Sequence, residues 1–185
     1  YTFRQCPNCS LIYLWPQPTH PASTYQMDYY RERSIFTATP LNDFLHNRCL
    51  RQLESFVHTK DHRLLDIGCG TGYFLDIAQR RGWQVEGVDI SEEVVKYART
   101  HYRLKVHLGE VSQLLQEMQQ GGTSTYDAIT FWDVIEHLPK PLEQLVQAHQ
   151  LLKPGGVLAL TTPNVRGLST RLTGRHSCIF HPHEH

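Results

Sequence analysis

LLDIGCGTG, residues 64–72, is the most informative stretch of this 185-residue chain. The apolar run before Gly68 predicts a buried strand, and glycines at alternate positions permit a tight turn from that strand into a helix. A glycine turn also lets a ligand approach backbone that side chains would otherwise cover. The spacing is G-x-G-x-G, which differs from the G-x-G-x-x-G typical of dinucleotide-binding turns. The stretch therefore predicts a strand–turn–helix unit with a ligand at the turn.

Outward from this turn, short apolar runs alternate with amphipathic stretches. Strands are predicted at 64–67, 85–89, 104–108, 128–132 and 157–161, and helices at 43–58, 73–81, 92–102, 112–119 and 142–152. Ser91 followed by two glutamates is a favourable helix start. The alternation predicts an α/β protein, a three-layer Rossmann-like fold with a mostly parallel central sheet and helices on both faces. An α+β domain with antiparallel strands is the alternative.

Composition excludes several classes of function. The chain has 18 basic and 18 acidic residues, so it lacks the basic excess of a protein that tracks nucleic-acid phosphates, and we expect no nucleic-acid partner. No apolar run approaches the ~20 residues of a membrane-spanning helix, and no secretory signal is visible. Five scattered cysteines favour a reducing, cytoplasmic location over a disulfide scaffold.

Acidic residues lie near the carboxyl ends of three predicted strands, at the sheet edge where ligands of parallel sheets bind. Asp66 precedes the glycine turn, where a carboxylate would oppose a pyrophosphate and would suit a ligand with an ammonium or sulfonium group. Asp89 lies about 20 residues further on, the position from which an acid accepts hydrogen bonds from ribose hydroxyls. Ile90 could contact a purine, and Glu110 could accept a hydrogen bond from an exocyclic amine. A solvated strand-end acid is the alternative for Asp89 alone.

Four motifs in order, LLDIGCGTGYFL, VDIS, YDAITFWDVIEHLPKP and LLKPGGVLALTTPN, resemble those of class I S-adenosylmethionine-dependent methyltransferases. DVIEHL followed by KPGG resembles the branch with the ubiquinone-biosynthesis O-methyltransferases and related bacterial proteins. The resemblance spans about residues 64–164. It implies a seven-stranded sheet whose last strand is antiparallel, and too few residues follow Asn164 for the remaining strands, so we expect the C-terminal strands to be missing from this chain.

The resemblance also implies S-adenosyl-L-methionine as cofactor, with S-adenosyl-L-homocysteine as product, and a set of residues around it. These are Asp66, Gly68, Cys69, Gly70 and Gly72 at the methionine part, Asp89 at the ribose, Ile90, Glu110 and Val111 at the adenine, and Trp132 beside the cofactor.

The turn after the fourth strand offers candidates for chemistry. If the methyl acceptor is a hydroxyl, a base should remove its proton, and His137 is the predicted base because imidazole titrates near neutral pH. A structural role in the loop is the alternative for His137. Asp133, Glu136 and His137 also resemble a metal-binding arrangement of some ubiquinone-pathway relatives, but we expect no divalent metal because acidic residues are common at helix starts.

Residues 1–42 form a Pro- and Tyr-rich N-terminal cap, and residues 43–185 the cofactor-binding domain, in our prediction. Cys6 and Cys9 have the spacing of half a zinc site, but four ligands are needed and one pair is present, so a simple turn is favoured. Relatives place a lid before the first long helix, and Tyr29 and Tyr30 are the predicted lid residues. Packing within the cap is their alternative role.

Together these features predict an enzyme that transfers a methyl group from S-adenosylmethionine to a small-molecule acceptor, by in-line displacement and onto a hydroxyl. N- or C-methylation on the same scaffold is one alternative. A cofactor-binding domain without catalysis, acting as a sensor or partner subunit, is another, and a nicotinamide-dependent dehydrogenase is a third. The acceptor itself is not encoded in a recognisable motif.

Overall fold

The computed structural model describes residues 2–16, 38–59, 61–121 and 125–173. The N-terminal part is a two-stranded antiparallel hairpin of β1 (Thr2–Gln5) and β2 (Ile12–Trp15). The rest forms one sheet with helices on both faces. None of the helices in the described ranges is long and apolar enough to cross a membrane.

Five parallel strands build the central sheet in the order β5-β4-β3-β6-β7. They are β3 (Arg63–Ile67), β4 (Gln84–Asp89), β5 (Lys105–Leu108), β6 (Tyr126–Trp132) and β7 (Leu152–Thr161). The central strands β3 and β6 are almost entirely buried, as expected for parallel strands covered on both faces. The predicted three-layer α/β fold is confirmed, and the antiparallel α+β alternative is wrong.

Six helices accompany the strands in the described ranges. They are α1 (Pro40–Glu54), α2 (Tyr73–Arg80), α3 (Glu92–His101), α4 (Val111–Gly121), α5 (Pro141–Leu151) and α6 (Leu168–Thr173). Five of them match the predicted helices, and helix α1 begins earlier than expected because Thr39 caps it, with the Asn42 N–H donating to Thr39 Oγ1 at 3.1 Å. Ser91 precedes α3 as predicted, yet its side chain makes no capping bond. Its backbone N–H instead donates to the carboxylate of Asp89.

Two apolar layers lie between the helices and the sheet. Helices α1, α2 and α3 cover one face, where Leu50, Leu75 and Val95 are buried. Helices α4 and α5 cover the other face, where Leu114 and Leu151 pack on the strands. Alternate residues of β3 divide between the two layers, Leu64 on the first and Leu65 on the second. Both faces of the sheet are therefore buried.

All five strands are parallel, but the side of β3 on which successive strands are added changes at the centre of the sheet. From β3 the chain proceeds outward through β4 to β5, then returns to β6 on the other side of β3 and continues to β7. The connections after β3 and β6 therefore lead to opposite sides and leave a crevice between them at the carboxyl ends of the strands. Ligands of open α/β sheets bind in this crevice.

Candidate cofactor site

The glycine turn after β3 is fastened to the end of β4 by backbone hydrogen bonds. The N–H groups of Gly68 and Cys69 donate to the carbonyl oxygen of Val88 at 2.8 and 3.2 Å. The N–H of Gly70 donates to Oδ2 of Asp89 at 2.8 Å. The turn that the sequence singled out and the acid that follows the next strand are thus parts of one structure.

Asp89 lies between the glycine turn and the start of α3. Its second oxygen, Oδ1, accepts the Ser91 N–H at 2.9 Å, and the side chain is buried. Burial raises the pKa of Asp89, while the backbone N–H groups of Ser91 and Gly70 oppose that shift. Each carboxylate oxygen accepts one backbone bond and retains a further lone pair, which is the arrangement needed to accept ligand hydroxyls as well.

Asp66 is buried on the face of the sheet that α1 and α2 cover. Thr130, on the neighbouring strand β6, donates its hydroxyl to Asp66 Oδ1 at 2.6 Å. Burial, helped by the negative charge of Asp89, raises the pKa of Asp66 to about 8, and the Thr130 bond only partly offsets this. The side chain predicted to be a standing negative charge is therefore protonated at neutral pH when no cation is near it.

Apolar residues and an acid stand where the sequence predicts an adenine pocket. Ile90 is 38 % exposed, although it is a large apolar residue directly after Asp89. Glu110 is exposed, and its backbone N–H bonds the side chain of Gln113 at 2.9 Å. Val111 is buried in the second apolar layer, so its side chain belongs to the core. Any contribution of Val111 to a ligand would come from its backbone.

The turn after β6 packs against the glycine turn across the crevice. A Cβ added to Gly68 would lie 2.6 Å from a methyl group of Val134, so only glycine allows this approach. Asp133 adopts φ +54 and is held by Thr161 at the end of β7, whose hydroxyl donates to Asp133 Oδ1 at 2.9 Å. The two turns that flank the crevice are therefore in direct contact.

Glu136 and His137 lie in a short 3-10 turn, Ile135–His137, that follows. Both carboxylate oxygens of Glu136 are shielded from water. Burial raises the pKa of Glu136 to about 7, with a further contribution from the charge of Asp133, while hydrogen bonds from the residue's own backbone N–H and from the Thr162 side chain oppose the shift. The structure thus adds Glu136 as a candidate proton acceptor beside the predicted His137.

Asp133, Glu136 and His137 are not gathered around a common point. Among the described residues, no group of three or more His, Cys, Asp or Glu side chains is arranged to hold a metal ion. Asp133 is exposed and bonds Thr161, whereas the carboxylate of Glu136 is shielded from water.

Aromatic side chains pack together on the α1 side of the sheet, and the sequence predicted a role for only one of them, Trp132. Trp132, a predicted cofactor neighbour, packs edge-on against Phe74 with ring centres 5.1 Å apart. The Phe74 ring in turn lies edge-on to the imidazole of His46 in α1, with ring centres 5.7 Å apart. His46 Nδ1 and Trp132 Nε1 are buried and make no hydrogen bond to the described residues. Burial lowers the pKa of His46, so its imidazole is held neutral.

His46 was missed because one histidine on a helix gives no local signal of a site.

Cys69 of the glycine turn is buried, and its thiol contacts the Gly70 carbonyl oxygen at 3.9 Å. Tyr29 and Tyr30, the predicted lid residues, lie outside the described residues. Gly70 and Gly72 adopt left-handed backbone angles, φ +52 and +81, in the same turn as Gly68.

These residues fit the cofactor that the sequence resemblance implies. Asp89 accepts backbone N–H groups from both sides of the crevice edge, Ile90 leaves an apolar surface next to it, and the glycine turn lies beside both. Asp66 adds a carboxyl that a positive charge would ionise. A cationic adenosyl ligand therefore matches the hydrogen bonding and the charge at this crevice.

Comparisons with known proteins agree with this geometry. The chain is 37% identical over 103 residues to a ubiquinone biosynthesis O-methyltransferase of Xanthomonas campestris pv. campestris, a match that covers 55% of this chain and 43% of that protein. The corresponding protein of Vibrio cholerae is 33% identical over 103 residues, covering 55% of this chain and 42% of the relative. The matched part is thus less than half the length of these relatives.

Solved structures share the fold. The PH0226 protein from Pyrococcus horikoshii OT3 has a TM-score of 0.57 and 26% identity, and the match covers 79% of this chain and 66% of that one. A SAM-dependent methyltransferase from Archaeoglobus fulgidus has a TM-score of 0.60 and 24% identity, with coverage of 78% and 62%. A family model described as a methyltransferase domain matches residues 36–185. The chain therefore belongs to the methyltransferase-domain family and has the fold of the class I S-adenosylmethionine-dependent methyltransferases.

Proposed function

We propose that this protein binds S-adenosylmethionine and transfers its methyl group to a hydroxyl of a small molecule. The observation that carries the proposal is the link between Asp89 and the glycine turn. One buried carboxylate, at the end of β4, accepts the Gly70 N–H at 2.8 Å and has lone pairs left for further hydrogen bonds. Bound S-adenosylmethionine supplies a methyl group on a positively charged sulfur.

The protein's contribution to the reaction is placement. Asp89 would accept hydrogen bonds from the ribose hydroxyls, and Ile90 and Glu110 would flank the adenine. The glycine turn, from Gly68 to Gly72, would hold the methionine part, and Trp132 would lie beside it. Positive charge is neutralised as the methyl group moves, so the residues mainly hold the reactants in line, an effect of about 7–11 kcal/mol in well-oriented systems.

A hydroxyl acceptor also needs a base, and the turn after β6 provides two candidates. His137 is the base predicted from the sequence. Glu136 is supported by its carboxylate, which is shielded from water, and by a pKa of about 7. A base with a pKa near the working pH is the most effective.

The base is tested by the pH dependence of methyl transfer in Glu136→Gln and His137→Ala, each against the unsubstituted protein. The variant that removes the base should lower kcat by 10²-fold or more and abolish the acidic limb of the pH profile. Unchanged turnover in both variants would exclude both residues from proton transfer.

The transfer itself is tested by mass spectrometry of reactions that contain S-adenosylmethionine and small phenols such as catechol as probes. The proposal predicts S-adenosylhomocysteine together with an O-methylated product. Methylation of an amine or carbon probe alone would favour the N- or C-methylation alternative. Binding of S-adenosylmethionine without transfer to any probe would favour a non-catalytic cofactor-binding domain.

The similarity to ubiquinone biosynthesis O-methyltransferases supports oxygen as the acceptor atom, within the 43% of the relative that is matched. A cytoplasmic location is part of the same proposal. It is supported by the cysteines of the described residues, Cys6, Cys9, Cys49 and Cys69, all of which are free thiols.

A further inference from the structure

His46 lies beside the crevice, in the first half of α1. The centre of its imidazole is 5.5 Å from the ring centre of Tyr73 and 5.7 Å from that of Phe74. These two residues begin α2, directly after Gly72 of the glycine turn. Tyr73 also donates its hydroxyl to Asp43, three residues before His46. The start of α1 is therefore fastened to the end of the glycine turn.

Helix α1 also approaches the turn after β6. Cys49 lies three residues after His46, on the same face of the helix. Burial raises the pKa of the Cys49 thiol, Arg48 opposes this shift, and the charge of Asp133 adds to it. This face of α1 is thus near both turns that flank the crevice.

Two ring nitrogens at this place have no partner among the described residues. They are Nδ1 of His46 and Nε1 of Trp132, the last residue of β6, and both atoms are shielded from water. The imidazole and the indole lie edge-on to the same phenyl ring, that of Phe74. Both residues are half-buried, so neither is sealed inside the core. Folded proteins leave few shielded polar atoms unpaired, because each costs free energy, and a bound ligand would explain this pair.

The chemistry of the two rings restricts what that ligand can be. An indole N–H is a donor only, and a neutral imidazole donates or accepts at Nδ1. Burial lowers the pKa of His46, against the charge of Asp43, so the imidazole is neutral. The Asp43 carboxylate would repel an anionic group. The surroundings therefore favour an uncharged molecule that offers an oxygen to the indole N–H and to the imidazole.

We propose that His46 and Trp132 bind the methyl acceptor, through hydrogen bonds to an oxygen other than the one that is methylated. This inference rests on the proposed function and assigns the acceptor side of the same crevice. The reacting hydroxyl belongs beside the candidate bases Glu136 and His137, which lie in the turn beyond Trp132. The oxygen at His46 and Trp132 is therefore a second one, and the acceptor is an uncharged molecule with at least two oxygen substituents.

The test compares catechol, which has two hydroxyls, with phenol, which has one, in initial-rate measurements with S-adenosylmethionine. His46→Leu and Trp132→Phe keep apolar bulk at the two positions and remove the hydrogen bonds. Each should raise KM for catechol about tenfold, toward KM for phenol. The affinity for S-adenosylhomocysteine, measured by calorimetry, should stay within about twofold because the cofactor contacts remain. His46→Asn, whose amide can take the place of Nδ1, should keep KM for catechol close to that of the unsubstituted protein.

His149→Leu is the matched control. It makes the same substitution at an exposed histidine of α5, on the other face of the sheet, and should leave KM for both probes unchanged. Thermal unfolding separates a binding role from a structural one. His46→Leu replaces an unpaired shielded nitrogen by carbon, so it should unfold at the same temperature as the unsubstituted protein or at a higher one, although its KM is worse.

An unchanged KM for catechol in His46→Leu, with methyl transfer intact, would overturn this proposal alone. So would a loss of affinity for S-adenosylhomocysteine in His46→Leu without a change in KM for catechol, because it would place the imidazole at the cofactor. Binding of S-adenosylhomocysteine by the unsubstituted protein without transfer to any probe would overturn the proposed function, and this inference with it.

Discussion

At the scale of single residues, two neighbouring carboxyls behave differently because their hydrogen-bond donors differ. Asp89 accepts two backbone N–H groups, which support its charge inside the protein. Asp66 accepts one hydroxyl, that of Thr130, and faces the charge of Asp89. The proton therefore resides on Asp66. A positively charged ligand in the crevice would favour its release.

Asp66→Asn should change how stability depends on pH. A carboxyl whose pKa is raised from 3.8 to about 8 on folding stabilises the protein below the lower value, and this stability is lost as pH rises toward the higher one. Asparagine is neutral throughout, so the unfolding free energy of Asp66→Asn relative to that of the unsubstituted protein should grow with pH. The difference between pH 5 and pH 8 should exceed about 1 kcal/mol. Urea unfolding between pH 5 and pH 8 measures the difference.

Glu92→Gln is the matched control, since Glu92 lies exposed at the start of α3. Its unfolding free energy should follow that of the unsubstituted protein across the same range. If the unfolding free energy of Asp66→Asn also runs parallel to that of the unsubstituted protein from pH 5 to pH 8, Asp66 is ionised in the folded protein. The interpretation of the buried Asp66–Asp89 pair would then be wrong.

The sequence predicted where these residues lie, because a motif fixes their spacing. It did not predict their protonation states, because those depend on burial in the folded protein. The register of Asp89 with the glycine turn follows from spacing. The raised pKa of Asp66 comes from burial and from the charge of Asp89, and the hydrogen bond from Thr130, 64 positions away along the chain, only partly offsets it. The shielded carboxylate of Glu136 and the neutral imidazole of His46 likewise arise from packing between distant segments, which no local pattern contains.

At the scale of elements, helix α1 is joined to the sheet layer by apolar burial and by polar contacts. Leu50 is fully buried and Leu53 nearly so. Tyr73 at the start of α2 donates its hydroxyl to Asp43. Arg81 donates to Glu54 through Nε at 3.0 Å and through a terminal nitrogen at 2.6 Å. The apolar contribution should be the larger, because ion pairs near the surface contribute little.

Leu50→Ala should therefore lower the free energy of unfolding by about 2–5 kcal/mol, since it leaves a cavity under α1. Leu41→Ala is the control in the same helix, because Leu41 is 65 % exposed, and its effect should stay within about 0.5 kcal/mol. Chemical denaturation monitored by circular dichroism measures both. Similar small losses in the two variants would mean that α1 is not packed on the sheet as described.

Gly68→Ala should be more destabilising than a glycine substitution with similar backbone angles elsewhere. Both Gly68 (φ +70) and Gly82 (φ +94) are left-handed, so alanine costs about 1–2 kcal/mol at either. Only at Gly68 would the new Cβ meet a side chain, Val134 at 2.6 Å, whereas nothing lies within 4 Å at Gly82.

Thermal unfolding of Gly68→Ala, Gly82→Ala and the double variant Gly68→Ala/Val134→Ala tests this contact. The double variant should recover part of the loss relative to the sum of its single substitutions. Strict additivity would show that the two turns do not touch across the crevice.

Strands and helices were more predictable than the connections between them. Buried β-branched runs and 3.6-residue periodicity place β3 to β6 within a few residues of their observed bounds. Strand β7 begins at Leu152, ahead of the predicted start at 157, because pairing with Tyr126 extends it through Pro154 and two glycines. The left-handed Asp133 and its bond to Thr161 depend on β7, so the turn alone did not reveal them.

At the scale of the whole molecule, the strand order assembles one site from distant parts of the chain. The reversal between β3 and β6 brings the glycine turn, Asp89 and the turn after Trp132 to one edge of the sheet. The alternation of strands and helices predicts such an edge in general terms. Which turns come into contact follows from the strand order, which local sequence patterns do not specify.

The central claim is that this crevice binds a cationic adenosyl donor, and isothermal titration calorimetry of S-adenosylmethionine and of S-adenosylhomocysteine into the protein tests it most directly. We expect saturable binding of both at one site per chain, and a loss of affinity of at least about tenfold in Asp89→Ala, where the ribose acceptors are gone. NAD⁺ should give no heat of binding. Absence of binding by both adenosyl ligands, or tight binding of NAD⁺ instead, would contradict the account.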